Sequence, residues 1–186
     1  MAKRRIGRAV NGSTNALTLV PILIASMILV FSKPSFCGTS AERETLRGVK
    51  ALNVVVKARI GDEGAKGLGI SQGQLQADME QTLRKAGIQV ARNARPYLLL
   101  SVSLLSISHP TVKGVLAYVY TAQLKFRQGA VLDSTGTRAS VTTWDETRFG
   151  AATPTKDLDK RIRKSVNALV GAFVEDYVAE NPAQVK

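Results

Sequence analysis

The chain has 186 residues, with 26 lysines and arginines against 14 aspartates and glutamates, and a formal net charge of +12. One cysteine and one histidine exclude a disulfide within the chain and the usual zinc sites built from several such ligands. We therefore expect no metal, no other cofactor and a domain that depends on its hydrophobic core.

The first 37 residues predict an export signal. Four basic residues within the first eight precede an uncharged apolar run, residues 16–31. This run is shorter than the roughly 20 apolar residues that span a bilayer, which favours a cleaved signal over an uncleaved anchor. Both outcomes export the rest of the chain, because the basic residues keep the N-terminus in the cytoplasm.

The single cysteine lies at the end of this signal. Bacterial lipoprotein signals place a small residue directly before the lipidated cysteine, whereas Phe36 precedes Cys37. Ser35 and Cys37 suit a signal peptidase that cuts between Cys37 and Gly38, and a second pair of small residues allows a cut before Glu42. Cutting at Gly38 removes five basic residues and no acid, so the net charge falls from +12 to +7.

The first half of the domain predicts a strand and a helix. After a polar linker, residues 38–47, the apolar residues of 50–60 alternate with polar ones, as in a strand with one solvated face. The loop 61–69 is rich in glycine but fits neither phosphate-binding fingerprint. Ser71 is the expected N-cap of the following helix, Gln74 completes a capping box, and Gly87 ends the helix.

The second half predicts more strands and a long helix. A short strand covers 88–91, and two longer strands meet at a turn marked by His109 and Pro110. The sequence DSTG, residues 133–136, predicts the next hairpin turn. Residues 156–180 carry apolar side chains at helical spacing up to Asn181 and Pro182.

This order of elements predicts an α+β fold. We expect a two-layer sandwich, with an antiparallel or mixed sheet of about five strands, two helices on one face, and a preceding N-terminal signal helix. The predicted organisation is a signal peptide (1–37), a linker (38–47), a single domain (48–181) and a tail (182–186). Over residues 50–180 the element order resembles the amino-terminal domain of the Tol translocation protein and curli-secretion lipoprotein modules. The resemblance implies an envelope assembly role but assigns no residue roles.

Two groups of basic residues are candidate binding surfaces. Lys57, Arg59, Lys125 and Arg127 fall on the polar side of two predicted strands, and Lys160, Arg161 and Lys164 cluster at the start of the last helix. Such charges attract anionic partners, although many only solvate a surface. Trp144 is expected in the core or as an edge cover, with a contact site as the alternative.

We predict a non-enzymatic binding or assembly module of the bacterial envelope, periplasmic or secreted, with an inner-membrane anchor as the alternative location. Its expected partner is an envelope protein, a lipid head group, lipopolysaccharide or a cell-wall polymer. One alternative is a periplasmic hydrolase that uses His109 or a carboxylate pair, in which Asp145 or Glu146 acts with Asp62 or Glu63. Asp145 and Glu146 are adjacent, so we expect them to diverge from each other. The other is a nucleic-acid-binding domain, which export and the absence of an aromatic stacking platform disfavour.

Overall fold

The structure is a computed structural model that describes residues 39–60, 71–109, 112–153 and 157–184. The predicted signal segment with its cleavage site, residues 1–37 and Gly38, lies outside the described residues, as does the glycine-rich loop 61–69. The side chains of Ile60, His109 and residues 112–113 also lie outside the description.

Three helices and five strands form within these ranges. In chain order they are α1 (Ser40–Glu44), β1 (Ala51–Ile60), α2 (Gln72–Lys85), β2 (Gln89–Val90), β3 (Tyr97–His109), β4 (Val112–Val131), β5 (Arg138–Ala152) and α3 (Leu158–Glu180). The strands form one sheet in the order β2-β1-β3-β4-β5. Strand β1 runs parallel to β2 and β3, whereas β3, β4 and β5 are antiparallel neighbours. The predicted α+β fold with a mixed five-stranded sheet is therefore confirmed.

One face of the sheet is apolar because the register aligns the buried positions of neighbouring strands. Val54, Leu98, Phe126 and Trp144 lie opposite one another across four strands, and all are buried. The predicted apolar stripes of α2 and α3 pack into the same core. These stripes consist of Leu75, Met79 and Leu83, and of Leu158, Ile162, Val166, Leu169, Phe173 and Tyr177. Each large apolar side chain that is fully buried contributes about 1.5–3 kcal/mol to folding.

Helix α2 begins and ends as the sequence predicts, although its capping box is incomplete. The Ser71 side chain accepts a hydrogen bond from the Gln74 backbone N–H at 3.4 Å. The Gln74 side chain donates to Asp78 at 2.8 Å and does not complete the box. Gly87 follows the helix with φ of +78°, a conformation that glycine adopts at little cost.

The segment 38–47, predicted to be a linker, contributes to the packed domain. It forms α1, and Leu46 is fully buried in the core. Arg47 forms an ion pair with Glu180 at 2.8 Å, and the Gly48 N–H donates to the Asn181 side chain at 2.8 Å. A single leucine among polar residues gives no periodic signal, so the sequence pattern misses that the core begins before residue 48.

The end of α3 is hydrogen-bonded to the chain just before β1. The Tyr177 hydroxyl donates to the Val49 carbonyl oxygen and lies 3.0 Å from Oε1 of Gln184, within the predicted tail. Burial raises the pKa of Tyr177, because the charged phenolate is poorly solvated there. The neutral hydroxyl therefore remains a donor throughout the neutral pH range.

Gly150 of β5 lies against the ring of Tyr120. We expect Gly150→Ala to lower the free energy of unfolding by about 1–3 kcal/mol. A Cβ at this position overlaps the ring of Tyr120, which is buried and hydrogen-bonded to Ser165 at 2.9 Å. Urea denaturation followed by circular dichroism measures the effect. Gly129→Ala is the matched control, because a Cβ there meets no atom within 4 Å. Equal losses in the two variants would contradict the overlap.

Candidate functional site: an arginine-lined cleft

A cleft opens where the β4–β5 hairpin extends past the start of β3. Tyr97, the first residue of β3, lies opposite Arg127 of β4. Beyond this pair β4 continues to Val131 and pairs with β5 alone. The segment that leads into β3 forms the other wall, and it is held in place by a 3.0 Å hydrogen bond from the Asn53 N–H to the Pro96 carbonyl.

The cleft has a volume of about 740 Å³, a size typical of small-molecule sites. Arg95 stands on the β3 side and Arg138 on the β5 side, and Gly129 leaves open space between the walls. None of the residues that line the cleft is acidic. The lining thus combines two permanent positive charges with backbone groups and a tyrosine ring.

Arg127 does not line the cleft itself but contacts two residues that do. Its guanidinium carbon lies 5.8 Å from the centre of the Tyr97 ring, a distance at which a cation and an aromatic face attract. Its Nη2 donates to the Ser140 carbonyl oxygen at 2.8 Å. Arg127 therefore joins Tyr97 of β3 to Ser140 of β5 next to the cleft.

The four basic residues predicted for the polar side of the sheet lie on one face, the face away from α2 and α3. We call it the open face. Lys57 and Arg59 are exposed there, whereas Lys125 and Arg127 are partly buried. Asp145 lies directly opposite Lys125, so an acid interrupts the positive surface. The open face is therefore less basic than the sequence pattern suggests.

The predicted basic cluster of α3 lies at the opposite end of β5 from the cleft. Lys160, Arg161 and Lys164 are exposed in the first turns of α3, which follows the end of β5, whereas the cleft adjoins its start. The Lys160 ammonium is 3.2 Å from Asp157. Because β5 has 15 residues and spans about 50 Å, one small ligand cannot contact both places.

The alternative contact role of Trp144 is wrong, because its side chain is 0% exposed. The indole Nε1 donates to Oδ2 of Asp176 at 2.9 Å, and the ring meets Phe173 edge to face with centres 5.2 Å apart. The sequence analysis did not identify Asp176 as a core residue. Its position three residues after Phe173, on the buried stripe of α3, was the available signal.

Asp145 and Glu146 do not form a carboxylate pair with each other. As adjacent residues of one strand they point to opposite faces, as the sequence analysis expected. Asp145 accepts a hydrogen bond from Gln123 at 3.3 Å, and Glu146 forms an ion pair with Arg148 at 3.1 Å. Asp62, Glu63 and the His109 side chain lie outside the described residues, so their catalytic roles stay predictions.

Arg95 and Arg138 are candidate site residues that sequence reasoning missed. Each stands at a strand start, Arg95 two residues before β3 and Arg138 as the first residue of β5. The sequence marks both as strand boundaries, through Pro96 and the DSTG turn. Only the register and the extra length of the β4–β5 hairpin bring them to one cleft.

The described residues contain neither a metal-binding cluster nor a membrane-spanning helix. No group of three or more histidine, cysteine, aspartate or glutamate side chains in this part of the chain is arranged to hold a metal ion. The helices found between residues 39 and 184 include none with the length and apolar character needed to cross a membrane.

Comparison with known proteins yields structural matches alone. No protein-family model and no curated protein matches the chain. Rare lipoprotein B from Shewanella oneidensis is 11% identical, with a TM-score of 0.33, over 70% of this chain and 96% of its own. A minor lipoprotein from Acinetobacter baumannii is 12% identical, with a TM-score of 0.35, over 71% and 94%. A PelC dodecamer from Paraburkholderia phytofirmans is 18% identical, with a TM-score of 0.33, over 69% and 85%. The resemblance to Tol and curli-secretion modules is not shown by these matches and stays a prediction.

Proposed function

We propose that this chain is a non-enzymatic module of the bacterial envelope that binds an anionic group of another envelope component in the arginine-lined cleft. The envelope location rests on the N-terminal segment, whose basic start and apolar run are typical of export signals. The binding role rests on one observation. Arg95 and Arg138 line the same cleft, and none of its lining residues is acidic.

The chemistry of the cleft favours a phosphate or carboxylate ligand. A guanidinium presents several N–H donors in a planar fork, and this fork matches the oxygens of a phosphate or carboxylate group. Two such forks across an open space can hold one anion from both sides. Lipid head groups, lipopolysaccharide and cell-wall polymers all carry such groups, so they share the chemistry that this cleft recognises.

The exposed basic residues outside the cleft attract the partner from a distance in this proposal. Lys57, Arg59 and the start of α3 carry positive charge but do not line the cleft. Their contribution is long-range attraction, which raises the rate of encounter with an anionic partner and weakens with added salt. The cleft then provides the short-range contacts.

A titration with glycerol 3-phosphate tests the cleft. We expect progressive NMR shifts at the amides of Gly129 and Ser140 in the protein purified as the cell exports it. Arg95→Ala and Arg138→Ala should each weaken binding about tenfold, since a hydrogen bond to a charged group contributes about 1.5–3 kcal/mol. Arg92→Ala is the matched control, because Arg92 is exposed in the same loop and does not line the cleft.

The same titration contains the result that would reject the proposal. Shifts that are absent at Gly129 and Ser140, or that the Arg92 variant reduces as much as the other two, would leave the cleft without a binding role. Gly129→Leu gives an independent measure. A side chain there enters the open space of the cleft and should block binding while the protein stays folded.

A further inference from the structure

Strand β5 forms an outer edge of the sheet that is open over most of its length. It pairs with β4 on one side, and no strand within the described residues pairs with its other side. Near its start the edge is covered, because the Thr45 hydroxyl donates to the Thr143 carbonyl at 3.3 Å and Gln128 donates to the Thr45 carbonyl at 3.1 Å. From Trp144 onward no strand among the described residues pairs with this edge, and such an edge is a template for another strand.

We propose that β5 pairs with β5 of a second copy, antiparallel, about a two-fold axis through Thr147. Opposite residues in an antiparallel pair point to the same face, so an axis perpendicular to the sheet must pass through a residue. With Thr147 on the axis, the paired segments run from Trp144 to Gly150 in each copy. The two sheets then join into one sheet of ten strands.

The charges of β5 select this register. With the axis at Thr147, Glu146 of each copy lies opposite Arg148 of the other, which gives two attractive cross-strand pairs. An axis one residue earlier places Glu146 against Glu146, and an axis one residue later places Arg148 against Arg148. Like charges directly opposite each other are destabilising, so both neighbouring registers are disfavoured.

The two side chains of this pair are suited to a second contact. Within one chain Arg148 Nη2 lies 3.1 Å from Oε1 of Glu146, with side-chain exposures of 45% and 13%. Oε2 of Glu146 has no hydrogen-bond partner among the described residues. The exposed guanidinium has donors left for a second carboxylate, and Oε1 of Glu146 can accept a second hydrogen bond, whereas Oε2 is buried within its own chain.

The other features of the strand are compatible with this pairing. Phe149 is 77% exposed and lies opposite Asp145 of the second copy in this register, so pairing covers part of its ring. The cleft residues Arg138–Ser140 lie outside the paired segment. A dimer therefore keeps both clefts open, and its existence is independent of what the cleft binds.

Sedimentation equilibrium of the exported protein tests the pairing through charge exchange. We expect wild type to dimerise, and Glu146→Arg or Arg148→Glu alone to weaken dimerisation about tenfold or more, because each places two like-charge pairs across the axis. Mixing the two single variants should restore a dimer, since arginines of one then face glutamates of the other. The double variant Glu146→Arg with Arg148→Glu should also dimerise.

Disulfide formation tests the register itself. In a Cys37→Ser background, Thr147→Cys should crosslink two copies on mild oxidation, because the axis places this residue opposite itself. Asp145→Cys is the matched control on the same face and should not crosslink. A monomeric wild type, single variants that still dimerise, a mixture that stays monomeric, or crosslinking of Asp145→Cys would each overturn the proposal.

Discussion

Replacing Trp144 with phenylalanine is expected to lower the free energy of unfolding by about 2–4 kcal/mol. The change removes the Nε1–H that donates to Oδ2 of Asp176 at 2.9 Å, and both residues are fully buried. A hydrogen bond to a charged group contributes about 1.5–3 kcal/mol, and the smaller ring also leaves a void beside Phe173.

Urea denaturation measures this loss. Unfolding is monitored by circular dichroism, because Trp144 is the one tryptophan of the chain and the variant has no tryptophan fluorescence. A double-mutant cycle with Asp176→Ala is the control. We expect a coupling energy of about 1–3 kcal/mol between the two positions, since the second substitution removes a bond that the first has already broken. Strictly additive losses would show that the indole–carboxylate bond does not contribute to stability.

Asn181→Ala is expected to lower the free energy of unfolding by about 2–4 kcal/mol. It should also detach the segment before β1 from the end of α3. The Asn181 side chain accepts from the Gly48 N–H at 2.8 Å and donates to the Leu46 carbonyl at 2.9 Å. It also donates to the Tyr177 carbonyl at 3.0 Å, at the end of α3. An alanine leaves these groups without this partner, and each buried polar group that loses its partner costs about 1–3 kcal/mol.

Hydrogen exchange gives this prediction a local signature. The Gly48 amide should exchange much faster in the variant. Amides in the centre of β3 should exchange faster only by the factor that the loss in global free energy of unfolding predicts. Asn167→Ala is the matched control, because Asn167 is exposed on α3 and should change stability by less than about 0.5 kcal/mol. A Gly48 amide that stays protected without the Asn181 side chain would contradict this role.

These contacts also connect the N-terminal part of the domain with the candidate site. Gln128 lines the cleft, and its side chain donates to the Thr45 carbonyl at 3.1 Å and to the Thr143 hydroxyl at 3.0 Å. The segment around Thr45 is therefore fixed next to the cleft. Disruption of the segment around Thr45 is thus expected to alter the position of Gln128.

The sequence predicted the local elements well because their signals are local. Alternation in β1, β3 and β4 identified the buried face, and the spacing of Leu158, Ile162, Val166, Leu169, Phe173 and Tyr177 identified the buried side of α3. The α+β class follows from the order of these elements. The order of strands in the sheet does not, because alternation shows which side a residue faces and not which strand lies next to it.

Leu46 and Asp176 show where this reasoning fails. Leu46 is one apolar residue among polar ones and Asp176 is an acid, so residue type and composition place both at the surface, although the helical position of Asp176 falls on the buried stripe of α3. Both are fully buried because residues distant in sequence surround them. Leu46 joins the core that the sheet and α3 share, and Asp176 meets the indole of Trp144.

The sequence by itself determined an excess of positive charge, a predicted export segment, and the faces of the strands and helices. The tertiary structure decided which basic residues lie together. Arg95 and Arg138 share a cleft because β4 and β5 extend past the start of β3, whereas Lys125 is offset by Asp145 across the strand. The reason is physical. Charge and periodicity belong to single residues and short segments, but a binding site depends on strand register and strand length, and these are set by contacts across the whole sheet.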